Sequence, residues 1–245
     1  MFKIEYKFNI YVEIYIYNLI LDFNKGAVMN KIVAISGGRK NKISEKAIKT
    51  ILSNVRSKYN FYSLSDFEIL TCDACNGCVE KNKCIKDDRL NEIYANMKNC
   101  DLIIFAAPEY WDGVNAKSRA FWERICFSGR HNAYFPLKGK KGIILGVSGR
   151  GDSKHVISDL SRFMNDAQIE IMKKISIQGE FACFNCGYGE NCKVGGIFEL
   201  YPHNPEIKKE KIPTLTNQHP EKCDKKINKK KELIKTADYI NRFFR

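Results

Sequence analysis

The sequence predicts an α/β fold built on a doubly wound, five-stranded parallel sheet. Short apolar runs alternate with helical patterns between residues 31 and 178, and glycine-containing turns follow several of these runs. Strands that alternate with helices pair in parallel and are joined by right-handed crossovers. Five strands of this kind suit the spatial order 2-1-3-4-5, in which the strand order reverses beside the first strand.

The first half of the sheet is predicted from three segments. Residues 31–36 form an apolar run that ends at Gly37 and Gly38, and a helical pattern follows as far as Val55. Residues 67–70 are the predicted second strand, which leads into a group of cysteines. Asp88 is expected to cap the next helix. Residues 101–107 are apolar on both faces, as a buried parallel strand should be.

The second half repeats this alternation. Residues 108–113 are predicted as a loop, 114–126 as a helix and 142–148 as the fourth strand. A glycine turn, a helix over 153–171 and a strand over 174–178 complete the unit. The expected fold is therefore flavodoxin-like, with a cysteine-rich loop after strand 2 and an appendage after residue 179.

Three regions are expected along the chain: residues 1–28, 29–179 and 180–245. The run beginning at Met29 resembles a natural start, because the first strand follows at once. Residues 1–28 are either an extension packed at an edge or the result of a start placed too far upstream, and a chain that begins at Met29 is expected to fold. The appendage ends in a predicted amphipathic helix, which is expected to dock on the core or on a partner subunit. Its apolar residues at helical spacing are Leu233, Ala237, Ile240 and Phe244.

Composition narrows the function classes. The 245 residues are 44% apolar and 28% charged, which fits a globular core. No apolar run approaches the roughly 20 residues that span a bilayer, and no secretory signal is present, so a cytoplasmic protein is expected. The net charge is +13, but residues 206–245 contribute 12 basic against 6 acidic residues. A solvated basic tail explains this excess better than a nucleic-acid surface.

Three loops are predicted to meet outside the carboxyl ends of the strands, where such sheets bind ligands. The first combines Ser36, Arg39 and Ser44 with freed backbone amides and a helix N-terminus, which favour a phosphate. The second brings aromatic faces to the sheet edge, and the third is rich in glycine. Phosphate at one loop and a flat ring between the other two describe FMN. The candidate residues of the latter loops are Pro108, Tyr110, Trp111, Gly113, Ser148, Gly149 and Gly151.

Ten cysteines are the most informative feature, and four lie within thirteen residues: Cys72, Cys75, Cys78 and Cys84. Structural zinc usually draws on two separated cysteine pairs. Three cysteines at three-residue steps instead suit a loop around an iron–sulfur cubane, because the thiolates must reach several iron atoms from neighbouring directions. A [4Fe–4S] cluster is the favoured interpretation, and zinc or unliganded thiols are the alternatives.

These segments together resemble a family. The loop from Gly37 to Ser44 and the segment Pro108-Glu-Tyr-Trp resemble those of FMN-dependent NAD(P)H reductases and flavodoxin-like iron–sulfur flavoproteins, over residues 30–179. The compact cysteine spacing is the feature of the iron–sulfur flavoproteins. The resemblance implies FMN and [4Fe–4S] in each subunit, a homodimer or higher homo-oligomer, and a ferredoxin-like donor.

Two departures from the family pattern occur in the first loop. Gly37 and Gly38 stand where the family usually has Ser-Pro, and Ile43 replaces a common Asn. Phosphate binding is therefore expected to depend on backbone amides, Arg39 and Ser44.

Three functions follow from these observations. The first is electron transfer between a ferredoxin-like donor and an acceptor through [4Fe–4S] and FMN, with Lys81, Lys83 and Lys86 either attracting an acidic redox protein or simply solvated. The second is an NAD(P)H-dependent FMN reductase acting on quinones or similar acceptors. The third is a zinc-stabilised nucleic-acid binder that uses the basic tail.

A second cysteine group lies at Cys183, Cys186 and Cys192, with Cys223 downstream. Its Cys-x-x-Cys pair and glycines have the form of a metal knuckle, for which Cys223, His203 or His219 are the plausible fourth ligands. Free or redox-active thiols explain the same residues with fewer assumptions, and both interpretations stay open.

Overall fold

The computed structural model describes residues 31–131, 134–149, 152–179 and 227–244, together with Cys186. Five long parallel strands pair in the order β2-β1-β3-β5-β6, and the short β4 pairs antiparallel with β3. The predicted doubly wound order is confirmed. The elements in chain order are β1 (Lys31–Ser36), α1 (Ile43–Leu52), β2 (Lys58–Ser63), a 3-10 turn (Leu64–Asp66), α2 (Leu90–Lys98), β3 (Leu102–Tyr110), β4 (Gly113–Val114), α3 (Ala116–Ser128), β5 (Lys141–Ser148), α4 (Lys154–Asp166), β6 (Glu170–Gln178) and α5 (Lys230–Phe243).

Alternate residues of the central strands supply two apolar layers, one on each face of the sheet. Val33 and Ile35 of β1 pack with α2, α3 and α4, whereas Ile32 and Ala34 pack with α1 and α5. In β3, Phe105 belongs to the first layer. This two-sided burial is why the strand sequences are continuously apolar rather than alternating.

The second strand is not where the sequence predicted it. The strand is β2, while residues 67–70 are irregular. β2 is an edge strand that pairs only with β1, so it needs no continuous apolar run. Its mixture of aromatic and polar residues does not show the pattern of a buried strand, and the sequence therefore did not predict it. The backbone of the 67–70 segment is satisfied by side chains instead. Lys117 Nζ donates to Phe67 O at 2.9 Å, and Leu70 N donates to the Asp88 carboxylate at 3.0 Å.

Two other boundaries differ from the prediction. The expected loop over 108–113 is a β-hairpin, because Trp111 and Asp112 both have positive φ angles, of 51° and 57°, and form a tight two-residue turn. Helix α4 ends at Asp166 rather than at residue 171. Gln168 has a φ of 57°, and Ile169 N donates to Met164 O at 2.8 Å, which ends the helix and begins β6 early.

The C-terminal helix α5 packs on the sheet of its own chain. Leu233, Ala237 and Ile240 are buried in the same apolar layer as α1. Asn241 then joins the helix to the turn after α1, accepting from Arg56 N at 2.8 Å and donating to Asn54 O at 2.9 Å. All four residues predicted to dock this helix do so, since the half-buried Phe244 also packs against that layer.

The remaining predicted regions are only partly described. Residues 1–28 and the cysteine and proline segments between 180 and 226 lie outside the described residues, except for Cys186, which is exposed. Within the described part of the chain, no helix is long and apolar enough to cross a bilayer.

Candidate functional site

An open cleft lies where the carboxyl ends of β1, β3 and β5 meet, at the point where the strand order reverses. Five residues predicted for FMN line it together, and six further residues complete the lining. The predicted ones are Arg39, Ser44, Pro108, Tyr110 and Gly149; the others are Gly38, Lys42, Ile43, Glu109, Val147 and Gly179. The topology therefore brings all three predicted loops to one place.

The first loop is held so tightly that it requires glycine. Gly37 N donates to Ala106 O at 2.7 Å, and Asn115 Nδ2 donates to Gly37 O at 2.9 Å. A Cβ on Gly37 would lie 1.8 Å from Ser118 Oγ, and one on Gly38 would lie 2.8 Å from Ser44 Cβ. The two glycines that depart from the family pattern therefore allow this backbone to pass close to α1 and α3.

The first turn of α1 presents an anion-binding surface to the cleft. The leading N–H groups of a helix have no partner within the helix, and the macrodipole places partial positive charge there. Arg39 and Lys42 line the cleft beside this turn. Glu45 is buried in the same turn, and its carboxylate accepts from Asn41 N at 3.1 Å, which fixes the loop. A phosphate is the ligand that these groups suit.

Lys40 forms an ion pair and does not line the cleft. Its ammonium pairs with Asp66 at 2.8 Å. The hydrogen bond and the charge of Asp66 raise the pKa of Lys40. The pair leaves Arg39 and Lys42 as the cations that line the cleft at this loop.

The hairpin of β3 and β4 presents Pro108 and Tyr110 to the cleft. Tyr110 is half-exposed, while Trp111 at the turn is fully exposed, at 100% of its possible surface, and is not among the lining residues. Gly113 lies on the far strand of the hairpin. Asp159 of α4 steadies this strand, since its carboxylate accepts from Val114 N at 2.9 Å.

The third loop closes the cleft with backbone. Gly179 N donates to Ser148 O at 2.7 Å, and Gln178 Nε2 donates to Gly149 O at 2.7 Å. Ser36 and Ser148 are buried at the ends of their strands and do not line the cleft. Gly151 lies outside the described residues.

The four clustered cysteines surround one cavity. Cys72, Cys75, Cys78 and Cys84 all line it, with Arg124, Phe127 and Ser128 of α3 forming the opposite wall. Residues with positive φ turn the loop around the cavity: Ala74 (54°), Asn76 (57°) and Asn82 (47°). Gly77 lies against Ile85, since a Cβ there would be 2.4 Å from Ile85 Cδ1. The small residues of the loop thus permit the tight winding that brings the sulfurs to one cavity.

Polar groups reach two of these sulfurs. Arg124 donates to Cys84 Sγ from Nε at 3.3 Å and from Nη2 at 3.2 Å, and His131 Nε2 lies 3.2 Å from Cys78 Sγ. Burial raises the pKa of the Cys78 thiol, and the three neighbouring thiols raise it further. The sulfurs therefore interact electrostatically with one another.

Among the described residues, no three His, Cys, Asp or Glu side chains converge on a point where they could hold one metal ion. A cubane cluster has a different requirement, because each of its thiolate ligands binds a different iron atom. Four sulfurs around a shared cavity, with N–H donors directed at one of them, fit such a cluster. The arrangement is a poorer match for a tetrahedral zinc ion, whose ligands must converge.

The lysines near the cavity are not equivalent. Lys86 pairs with Asp73 at 2.9 Å, and its pKa is raised by that hydrogen bond. Lys81 and Lys83 are exposed. Ile85 and Phe127 line the cavity and expose apolar surface, and Val79, which follows Cys78, is also exposed. Basic and apolar groups therefore share this face of the molecule.

Sequence reasoning did not assign Arg124 and Asp88 to this site. Both side chains are buried, at 1% and 5% exposure, and they form an ion pair. One feature of the sequence could have identified Arg124. Its charge lies on the face of α3 that carries the buried residues Phe121 and Ile125. Lys42 and Glu109 lie within the predicted loops but were not singled out, and Gly179 directly follows the predicted fifth strand.

Comparison with known families finds a match that spans most of the described sheet. A family described as NADPH-dependent FMN reductase matches residues 30–176. An iron–sulfur flavoprotein from Methanosarcina thermophila is 33% identical over 141 residues, which are 55% of this chain and 73% of that protein. An iron–sulfur flavoprotein from Methanocaldococcus jannaschii is also 33% identical, over 50% of this chain and 58% of that protein.

Solved structures show more distant similarity. A flavodoxin from the domain Archaea is 12% identical, with a TM-score of 0.39, and the match covers 60% of this chain and 82% of the flavodoxin.

Proposed function

Because the chain belongs to the family of NADPH-dependent FMN reductases, we propose that it is an electron-transfer protein that binds FMN in the cleft and one [4Fe–4S] cluster at the four-cysteine cavity. The observation that carries this proposal is the convergence of Cys72, Cys75, Cys78 and Cys84 on one cavity. Two relatives that are 33% identical bear the name iron–sulfur flavoprotein. That name fits both sites of this chain.

The cleft residues suit the two ends of FMN. The first turn of α1, with Arg39, Lys42 and the Ser44 hydroxyl, would hold the phosphate by charge and hydrogen bonding. Tyr110 and the backbone at Gly149 and Gly179 would border the ring. Glycine at positions 149 and 179 leaves that border without side chains, so a flat ring can approach the backbone.

The chemistry belongs to the cofactors: a cluster passes single electrons, and a flavin accepts one or two. The residues of the chain hold and orient these groups. Helix α3 joins the two sites, because it begins beside Gly37, where Asn115 donates to the loop, and ends beside the cysteine cavity at Ser128. A rigid helix keeps the two sites in fixed relation.

The partners we propose are a ferredoxin-like donor and further copies of this chain, in a homodimer or higher homo-oligomer. The face around the cysteine cavity combines the exposed cations Lys81 and Lys83 with exposed Val79, Ile85 and Phe127. An acidic redox protein would be attracted by the cations and would bury the apolar groups. Raising the ionic strength should therefore slow electron delivery by such a donor, whereas an unchanged rate would contradict the charge argument.

An NAD(P)H-dependent FMN reductase is the second candidate. It is favoured by the family match over residues 30–176. Stopped-flow absorbance distinguishes the two functions. Rapid bleaching of bound flavin by NADPH alone would select the reductase, whereas bleaching only with a reduced ferredoxin-like protein would select electron transfer.

The cluster assignment is tested by removing one ligand. Cys78→Ala is expected to lose stoichiometric iron and sulfide while its far-UV circular dichroism stays that of the wild type. Cys100→Ala is the matched control, since Cys100 is buried in the core away from the cavity. Full retention of iron and sulfide in Cys78→Ala would overturn the assignment.

The flavin assignment has its own test. Denatured protein is expected to release FMN, identified by chromatography against FAD. Release of FAD, or failure to bind any flavin on reconstitution, would contradict the proposed cleft.

A further inference from the structure

Arg124 occupies an environment that is unusual for a charged side chain. It lies on α3 between the buried residues Phe121 and Ile125, and only 1% of its surface is exposed. Arg119, one turn and a half earlier on the same helix, is exposed and pairs with Glu123 at 3.0 Å. Unlike Arg119, Arg124 is therefore a buried cation that lines the cysteine cavity.

Each nitrogen of the Arg124 guanidinium has a partner. Nε and Nη2 both donate to Cys84 Sγ, at 3.3 and 3.2 Å. Nη1 donates to Leu70 O at 3.2 Å, and Nη1 and Nη2 also bond the two oxygens of Asp88. One side chain thus connects α3, the segment before Cys72, the last cysteine of the group and Asp88, two residues before α2.

Asp88 is fixed as an anion in this arrangement. Burial opposes its ionisation, but the hydrogen bonds from Arg124 and from the Leu70 and Leu90 amides outweigh burial and hold the pKa of Asp88 below its usual range. The buried Arg124 guanidinium pairs with this carboxylate and also contacts Cys84 Sγ. The pair is a fixed dipole whose positive end points at Cys84.

Stability alone does not explain such a pair. Buried ion pairs are often no more stabilising than apolar residues of similar volume, because both charges must leave water. The bonds of Arg124 to Leu70 and Asp88 already attach both ends of the cysteine loop to α3. The two N–H donors to Cys84 Sγ are therefore not needed for that attachment. The extra donors act on the charge of the sulfur.

We infer that Arg124 and Asp88 set the reduction potential of the cluster, an inference that rests on the proposed function. A one-electron reduction by the donor increases the negative charge on the cluster and its sulfur ligands. Hydrogen bonds to such sulfurs stabilise the reduced state, and potentials are set by these bonds and by nearby charge. Arg124 therefore raises the potential, and Asp88, as a nearby anion, lowers it.

Opposite shifts in two variants test this inference. Arg124→Gln is expected to lower the midpoint potential, and Asp88→Asn to raise it, in redox titrations followed by the electron paramagnetic resonance signal of the reduced cluster. Arg124→Lys keeps the charge with fewer directed donors, so its potential should lie between those of Arg124→Gln and the wild type. Arg119→Gln removes the same charge from the exposed face of α3 and should leave the potential unchanged.

The outcomes separate the inference from the proposed function. Iron-replete variants with the wild-type potential, or with shifts of the same sign, would overturn the inference while leaving the proposed function standing. If Arg124→Gln, Arg124→Lys and Asp88→Asn all lose iron, the pair is a structural staple and the inference is wrong. A wild-type protein that assembles no cluster with iron and sulfide would overturn the proposed function and the inference together.

Discussion

The backbone at Gly37 passes within contact distance of α3, and this approach leaves no room for a side chain. A Cβ there would meet Ser118 Oγ at 1.8 Å and Ser118 Cβ at 3.1 Å. Within the described part of the chain, the Ser118 hydroxyl has no hydrogen-bond partner. The main obstacle to a side chain at position 37 is therefore the Ser118 hydroxyl oxygen, which forms no hydrogen bond with the described residues.

This geometry makes a testable prediction. Gly37→Ala should destabilise the protein by about 1–3 kcal/mol through overpacking, and it should weaken FMN binding because the loop shifts. Ser118→Ala should be close to neutral, because it removes an unpaired buried hydroxyl. The double variant should recover most of the loss in urea unfolding. Additive effects of the two substitutions would show that the close contact is not the cause.

Two single thiols outside the cavity, Cys100 and Cys126, are buried in the core. Burial raises the pKa of Cys100 and of Cys126 to about 12. Because these values lie above the unfolded value of about 8.5, the protonated thiols contribute stability that is complete below that pH. The contribution is lost as the pH rises towards 12.

We therefore expect iodoacetamide, at a pH near the ordinary thiol pKa, to alkylate exposed Cys75 in folded, cluster-free protein and to spare Cys100 and Cys126. Peptide mass mapping gives the site of labelling. Unfolding in guanidinium chloride should make all three react. Alkylation of Cys100 in the folded protein at the rate of Cys75 would contradict its burial.

At the scale of elements, α5 is a structural part of the sheet layer formed with α1. Its apolar face is buried in that layer, and Asn241 bonds the turn after α1. Its polar face carries exposed Lys235 and Asp238. The helix therefore covers apolar surface that α1 and the strands would otherwise expose.

Truncating the centre of this face should show its contribution. Leu233 is fully buried, so Leu233→Ala is expected to cost about 2–5 kcal/mol of unfolding free energy. Lys235→Ala, on the exposed face of the same helix, is the control and should stay within about 0.5 kcal/mol of the wild type. Equal effects of the two substitutions in denaturant titrations would show that α5 does not stabilise the fold.

At the scale of the whole molecule, helices of the described residues cover both faces of the described sheet. The five long strands and helices α1 to α5 pack with one another in two apolar layers. The expectation that a chain beginning at Met29 folds stays a prediction. The melting temperature and the cofactor content of such a chain should match those of the full chain, and loss of soluble protein would show that residues 1–28 are structural.

The sequence was most informative about the central strands, because a strand buried on both faces requires apolar residues at successive positions. Short continuous apolar runs bounded by turn residues favour buried parallel strands, which is why β1, β3 and β5 were predicted correctly. Lys58–Ser63 was missed because an edge strand is bonded on one side and tolerates polar residues. The segment over 67–70 resembled a strand, but Asp88, Lys117 and Arg124 take up its backbone groups, and these partners are distant in sequence.

The sequence by itself determined the α/β class, the grouping of four thiols and the three loops that a parallel sheet must bring to one edge, because these depend on local periodicity and short spacing. Only the tertiary structure decided what surrounds them. The hydrogen bonds of buried Arg124 to Leu70, Cys84 and Asp88 join segments up to 54 residues apart. Such contacts arise from the packing of α3 against the cysteine loop, and no local pattern encodes them.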